Sequence, residues 1–98
     1  MQDAASETHM QDIPYTIHTF REGKSYVAYV PELDVSSYGA TNEEARRNIR
    51  DAVQGFLDTS AAMHTLDEIL EEAGYQRKGD SWEAPEFVAL DREKASVG

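Results

Sequence analysis

Carboxylates are the side chains this sequence supplies most freely for chemistry. Glu32 with Asp34, Glu43 with Glu44, and Glu71 with Glu72 form close pairs among 19 acidic residues. Convergent carboxylates can hold the cations of a two-metal nuclease, provided strands and a helix bring them into one cleft. Glu44 is better explained as a helix cap. Glu43, Glu71 and Glu72 suit a solvated helix surface, which leaves Glu32 and Asp34 as the pair at a sheet corner where such a site would form. Histidine offers less. His9, His18 and His64 fall in a lead-in, a strand and a connection, and none has a second His or a carboxylate at zinc-site spacing. Gly23, Gly39, Gly55, Gly74 and Gly79 are isolated and make no phosphate-cradling loop, and Ser36 and Ser37 lack the setting of a nucleophile elbow. With no Cys, disulfides, thiol catalysis and Cys-ligated zinc are excluded. No catalytic, metal or cofactor-binding residue is assigned, and the chain reads as a non-enzyme.

Charge points to a different kind of role. Nine Lys and Arg stand against 19 Asp and Glu, a formal net charge of -10. That balance repels phosphate backbones and favours a basic protein partner, chiefly by steering encounter and orientation. Arg46, Arg47 and Arg50 cluster on one predicted helix, where three basic residues on one face can touch phosphate or, as readily, pair with neighbours such as Glu43 and Asp51 at helical spacing. No nucleic-acid-binding signature accompanies them. No apolar run approaches the ~18 residues of a membrane span, and no signal-peptide pattern opens the chain. A soluble cytoplasmic protein with no membrane association is expected.

The elements that would position these residues are legible in order. Residues 1–12 are polar and aperiodic, a predicted disordered lead-in, either natural or a vector remnant before a native start at Met10. Residues 13–98 form one domain, since 98 residues leave no room for a second core. Ile13, Tyr15 and Ile17 alternate with polar neighbours, which predicts a strand over 13–20, and Arg21-Glu22-Gly23-Lys24 supplies a turn. A second strand follows over 26–30, with Tyr26, Ala28 and Val30 on one face and Val27 and Tyr29 on the other. Pro31 ends it, and 35–38 makes a short third strand closed by Gly39.

Thr41-Asn42-Glu43-Glu44 is a capping box. Behind it Ala45, Ile49, Ala52, Val53, Phe56 and Leu57 share an arc of about 140° at helical period. Residues 58–64 break that pattern, and Thr65-Leu66-Asp67-Glu68 predicts a second box. Its helix should run to about Ala73, with Gly74 at C′. Lys78-Gly79-Asp80 reads as a tight turn, and after Pro85 a fourth strand is predicted over 87–90. The fold class is α+β: two layers in β-β-β-α-α-β order, a three-stranded antiparallel sheet with a helix packed on one face. Its exposed strand edges predict a homo-oligomer, a dimer or tetramer.

Residues 15–75 resemble the HicB family of antitoxins in its short, single-domain form. Gly23, Tyr26-Val27-Ala28, Pro31-Glu32-Leu33, Gly39-x-Thr41-x-Glu43-Glu44-Ala45, Asn48-Ile49, Ala52 and Phe56-Leu57 carry the resemblance. It implies a partial, degenerate ribonuclease H-like fold that lacks the nuclease carboxylates. It also implies a partner, the small basic mRNA-cleaving HicA-type toxin, whose active site the antitoxin covers. Asp34-Val35-Ser36-Ser37 departs from the Pro-Gly-Cys-like corner of commoner members. Larger members append a DNA-binding domain; none is evident here, so operator binding is not expected. Glu32, Asp34, Ser36, Ser37 and Tyr38 have no structural task that the sequence names, and they are the candidate partner-binding residues. The runner-up readings are a metal-dependent hydrolase of ribonuclease H type working through Glu32 and Asp34, or an orphan oligomeric module.

Overall fold

A computed structural model of the chain describes residues 11–98. Strand β1 (His18–Glu22) pairs antiparallel with β2 (Ser25–Val30), and β2 pairs antiparallel with β3 (Val35–Gly39), giving the sheet order β1-β2-β3. The β1–β2 loop is two residues long, with Gly23 at φ 62, and Gly in the first position is what a type II′ hairpin needs. The first strand starts later than the alternation of Ile13, Tyr15 and Ile17 predicts. Those three side chains instead pack, half-buried, against the core, from an extended segment that makes no ladder. Pro14 in that segment has no amide hydrogen to offer a ladder.

Helix α1 (Asn42–Ala62) lies across one face of the sheet, chiefly beneath β3 and β2. The cap forms as the sequence predicts, with Glu44 N–H donating to Thr41 Oγ1 at 3.0 Å. The reciprocal bond reaches one residue further back than in the usual box, since Glu44 Oε1 accepts from the N–H of Ala40. Ala45, Ile49 and Val53 are buried against Ala28 and Val30, and Phe56 and Leu57 extend the stripe. Close approach is possible because of Gly39. A Cβ built there would lie 2.3 Å from the backbone nitrogen of Ala45 and 2.8 Å from its Cα. The last residue of β3 and the first turn of α1 are in contact through their main chains.

The helix does not stop at the predicted break over 58–64. Ser60 is turned inward and buried, its hydroxyl donating to Phe56 O at 2.8 Å. This i−4 bond lets a polar residue sit inside the helix. Termination falls at His64, which takes φ 60 in the left-handed region while Thr65 N–H donates to Ser60 O and His64 N–H to Ala61 O. That is a Schellman ending, with His where Gly is usual. It also overturns the second capping box: Thr65 makes no side-chain cap, and its hydroxyl donates to Ser60 O at 3.3 Å. Helix α2 (Leu66–Glu72) ends in the same motif with Gly74, φ 96, at C′ as predicted.

Beyond α2 the structure departs from the predicted fourth strand. Lys78-Gly79-Asp80 does turn the chain, but it joins β4 (Gln76–Lys78) to β5 (Ser81–Glu83) as a separate two-stranded sheet. Residues 87–90 are not in a strand, and Phe87, Val88 and Leu90 are exposed there. A strand needs a partner to hydrogen-bond, and none is engaged. The hairpin earns its place through Trp82, 3% exposed, with the Arg77 guanidinium 5.0 Å over its ring and tied to Asp67 at 3.1 Å.

The extended segment before β1 straps these pieces together. Trp82 Nε1–H donates to Gln11 Oε1 at 2.7 Å, the Tyr75 hydroxyl to Pro14 O at 2.7 Å, and Thr16 N–H to Glu32 Oε1 at 3.1 Å. Of the predicted lead-in 1–12, residues 1–10 lie outside the described residues, and Gln11 is held by its bond to Trp82. No helix among the described residues is long and apolar enough to cross a membrane.

Two glycines make opposite predictions. Gly39→Ala should lower stability by about 3 kcal/mol, because backbone on both sides cannot yield as a side chain would. Gly55, inside α1 with nothing within 4 Å of its missing Cβ, should gain about 0.5–1 kcal/mol as Ala. Thermal unfolding followed by circular dichroism separates them. A Gly39→Ala protein as stable as the parent would remove the close-contact argument.

Candidate functional site: the open face of the sheet

Cross-strand partners share a face, so the register sorts the sheet's side chains into two sets. Tyr26, Ala28 and Val30 lie on the side covered by α1. On the opposite side, Phe20, Val27 and Tyr38 form one row across β1, β2 and β3, and His18, Tyr29 and Ser36 form the next. No helix or strand among the described residues packs on this second face, as antiparallel sheets permit. Val27 is nevertheless only 7% exposed, whereas Phe20 and Tyr38 are 46% and 65% exposed. Phe87 adds to the rim, its ring edge-on to His18 with centroids 6.4 Å apart.

The corner between β2 and β3 is fixed from two sides. Leu33 points into the core, and Asp34 takes φ 56, a left-handed conformation that Asp and Asn tolerate better than most residues. The Tyr29 hydroxyl donates to Asp34 Oδ1 at 3.0 Å. That bond first, then burial and the nearby carboxylate charge, pushes the Tyr29 phenol above its ordinary pKa. The corner is thereby coupled to the middle of the open face.

The structure divides the residues singled out by sequence. Ser36 and Tyr38 are exposed on the open face, and Asp34 is exposed at its corner. Ser37 falls on the helix side opposite Ala28, half-buried. Glu32 and Asp34 do have structural tasks, contrary to expectation: Glu32 accepts from Thr16 and Asp34 from Tyr29. Tyr38 has one through its main chain, its carbonyl accepting from Asn48 Nδ2 at 2.7 Å. Phe20, Val27, Tyr29 and His18 join the surface without having been singled out. The alternation in β2 had separated Val27 and Tyr29 from the core-facing set, which was the available signal.

On the helix behind this surface, one of the two readings of the arginine cluster is not seen. Arg46, Arg47 and Arg50 do not pair with Glu43 or Asp51; the ion pairs among the described residues are Arg77–Asp67 and Lys78–Glu83. No three potential metal-ligating side chains gather among the described residues. The surface as built offers aromatic rings, a phenol and a carboxylate. The chain matches no protein-family profile, no curated protein and no solved structure. The resemblance to HicB antitoxins thus rests on the residues 15–75 that carry it.

The strap behind the corner gives a pH-dependent prediction. Burial first, and the Glu32 carboxylate second, raise the Tyr75 phenol from 10.0 to about 12. A folded-state pKa above the unfolded one means its stabilisation is complete below about pH 10 and is lost as pH rises through about 12. Ultraviolet titration of phenolate should show one late-ionising tyrosine that Tyr75→Phe removes. If all tyrosines ionise together in the folded protein, the latch is not closed.

Proposed function

We propose that the chain is a protein-binding module of antitoxin type, which takes a small basic toxin on the open face of its sheet. The observation that carries this reading is the Phe20–Val27–Tyr38 row, two large aromatic side chains exposed on either side of a buried Val. Aromatic anchors beside desolvated ground are the pattern of binding hot spots. Asp34 stands at the edge of this surface, on a chain of net charge -10, so a basic partner would be steered toward it.

The resemblance over residues 15–75 supplies the class of partner: an mRNA-cleaving HicA-type toxin whose active site would be covered. It also supplies the finer fold reading, in which β1-β2-β3 and α1 correspond to part of a ribonuclease H-like domain. A cytoplasmic homo-oligomer belongs to the same proposal. The hydrogen bonds that occupy Glu32 and Asp34 weigh for binding over hydrolysis, since each carboxylate already serves the fold.

Co-expression with the small basic protein encoded by the adjacent gene tests the reading. Growth arrest should be relieved and a stable complex should elute on size exclusion. Tyr38→Ala should weaken that complex roughly 10–30-fold, the range of a hot-spot truncation, with the circular dichroism spectrum unchanged. Unrelieved arrest with no complex would sink the proposal. Full affinity in the Tyr38→Ala protein would move the interface off this face.

A further inference from the structure

The sheet has two outer strands, and they are treated differently. Beyond β3, Asn48 Nδ2 donates to Tyr38 O, and α1 packs closely against the strand. That edge is partly capped. Beyond β1 no strand of the described residues pairs. The two-residue loop makes Glu22 and Ser25 the hydrogen-bonded closing pair of the hairpin, and alternation along an antiparallel ladder then turns the main-chain groups of Thr19 and Arg21 outward. The same alternation carried across β2 turns Tyr38 outward from β3, where its carbonyl meets Asn48.

The outer edge of β1, unpaired among the described residues, lines a groove of about 1000 Å³, bounded by Ile17 to Arg21 on one side and by Leu90, Asp91 and their neighbours on the other. Beside it the segment after Pro85 holds Phe87, Val88 and Leu90 at 60%, 87% and 74% exposure. An open edge next to uncovered apolar side chains is a template for another strand.

We infer that the strand it receives is β1 of a second copy of this chain, paired antiparallel about a two-fold axis at Phe20. In that register Thr19 lies opposite the second copy's Arg21, which matches the residues whose main-chain groups turn outward from β2. His18 lies opposite the second copy's Glu22, an imidazole against a carboxylate at both ends of the pair. Centring on Arg21 instead would set two guanidinium groups against each other. The Phe20 register joins two three-stranded sheets into one of six, and the rows Phe20–Val27–Tyr38 of both copies become one aromatic band. Phe87, Val88 and Leu90 of each copy, exposed beside the groove, would add apolar surface to the contact. An isologous contact of this kind is self-limiting at the dimer.

Phe20 lies on the axis, so its own charge variants test the register, and the measurement needs no toxin. Light scattering at micromolar concentration should give a dimer for the parent protein. Phe20→Glu and Phe20→Lys, each placing like charges together at the axis, should self-associate roughly 100-fold more weakly. An equimolar mixture of the two variants should recover the dimer mass. Thr19→Pro removes an outward N–H without touching the β1–β2 ladder and should also give a monomer, with its circular dichroism preserved. A monomeric parent, a dimeric Phe20→Glu protein, or a mixture that stays monomeric would each overturn the inference.

Discussion

The main chain of Gly39 rests on the main chain of Ala45, with no room for a Cβ between them. Much of the fold depends on that contact. Two residues, Ala40 and Thr41, carry the chain from the end of β3 to the start of α1, and both are used in the Glu44–Thr41 cap. The helix can therefore leave the sheet in only a narrow range of directions. It runs back beneath β3 and β2, Ile49 and Val53 meet Ala28 and Val30, and one face of the sheet is closed. With a single long helix spent on that face, no second helix among the described residues packs on the other.

The open face and the corner are consequences of this arrangement rather than additions to it. Pro31 ends β2, and the chain must reverse within four residues before Val35 can pair back to Val30. Leu33 is drawn inward and Asp34 is pushed into the left-handed region. The Tyr29 hydroxyl then finds the Asp34 carboxylate. A charged corner and an aromatic sheet surface are held in one rigid frame, which is what preorganised recognition requires.

Local signals in the sequence were read well, and signals that depend on distant partners were not. Thr41 with Glu44, the alternation of Tyr26, Ala28 and Val30, and Gly74 after α2 each act within a few residues. The end of α1 was obscured because His64 does what Gly usually does, and because Ser60 hides its hydroxyl on Phe56 O. Thr65 resembles a cap by spacing, yet its hydroxyl is committed to the preceding helix. Residues 87–90 have strand composition, but a strand exists only when another lies beside it. At the candidate site, Tyr38 and Ser36 were legible as residues without a core task. Ser37 was not separable from them until the register set it opposite Ala28. Phe20 and Val27 were missed because composition cannot say which face of a sheet the helix will choose.

The strap has a consequence for the order in which the molecule is made. Its bonds from Tyr75 to Pro14 and from Trp82 to Gln11 join residues 61 and 71 positions apart. A ribosome releases Gln11 and Pro14 well before Tyr75 and Trp82, so neither bond can form while the hairpin and α1 are emerging. Until then Ile13, Tyr15 and Ile17 have only part of their packing surface. The first described residues of the chain are thus among the last to be secured, held only once Tyr75 and Trp82 are in place.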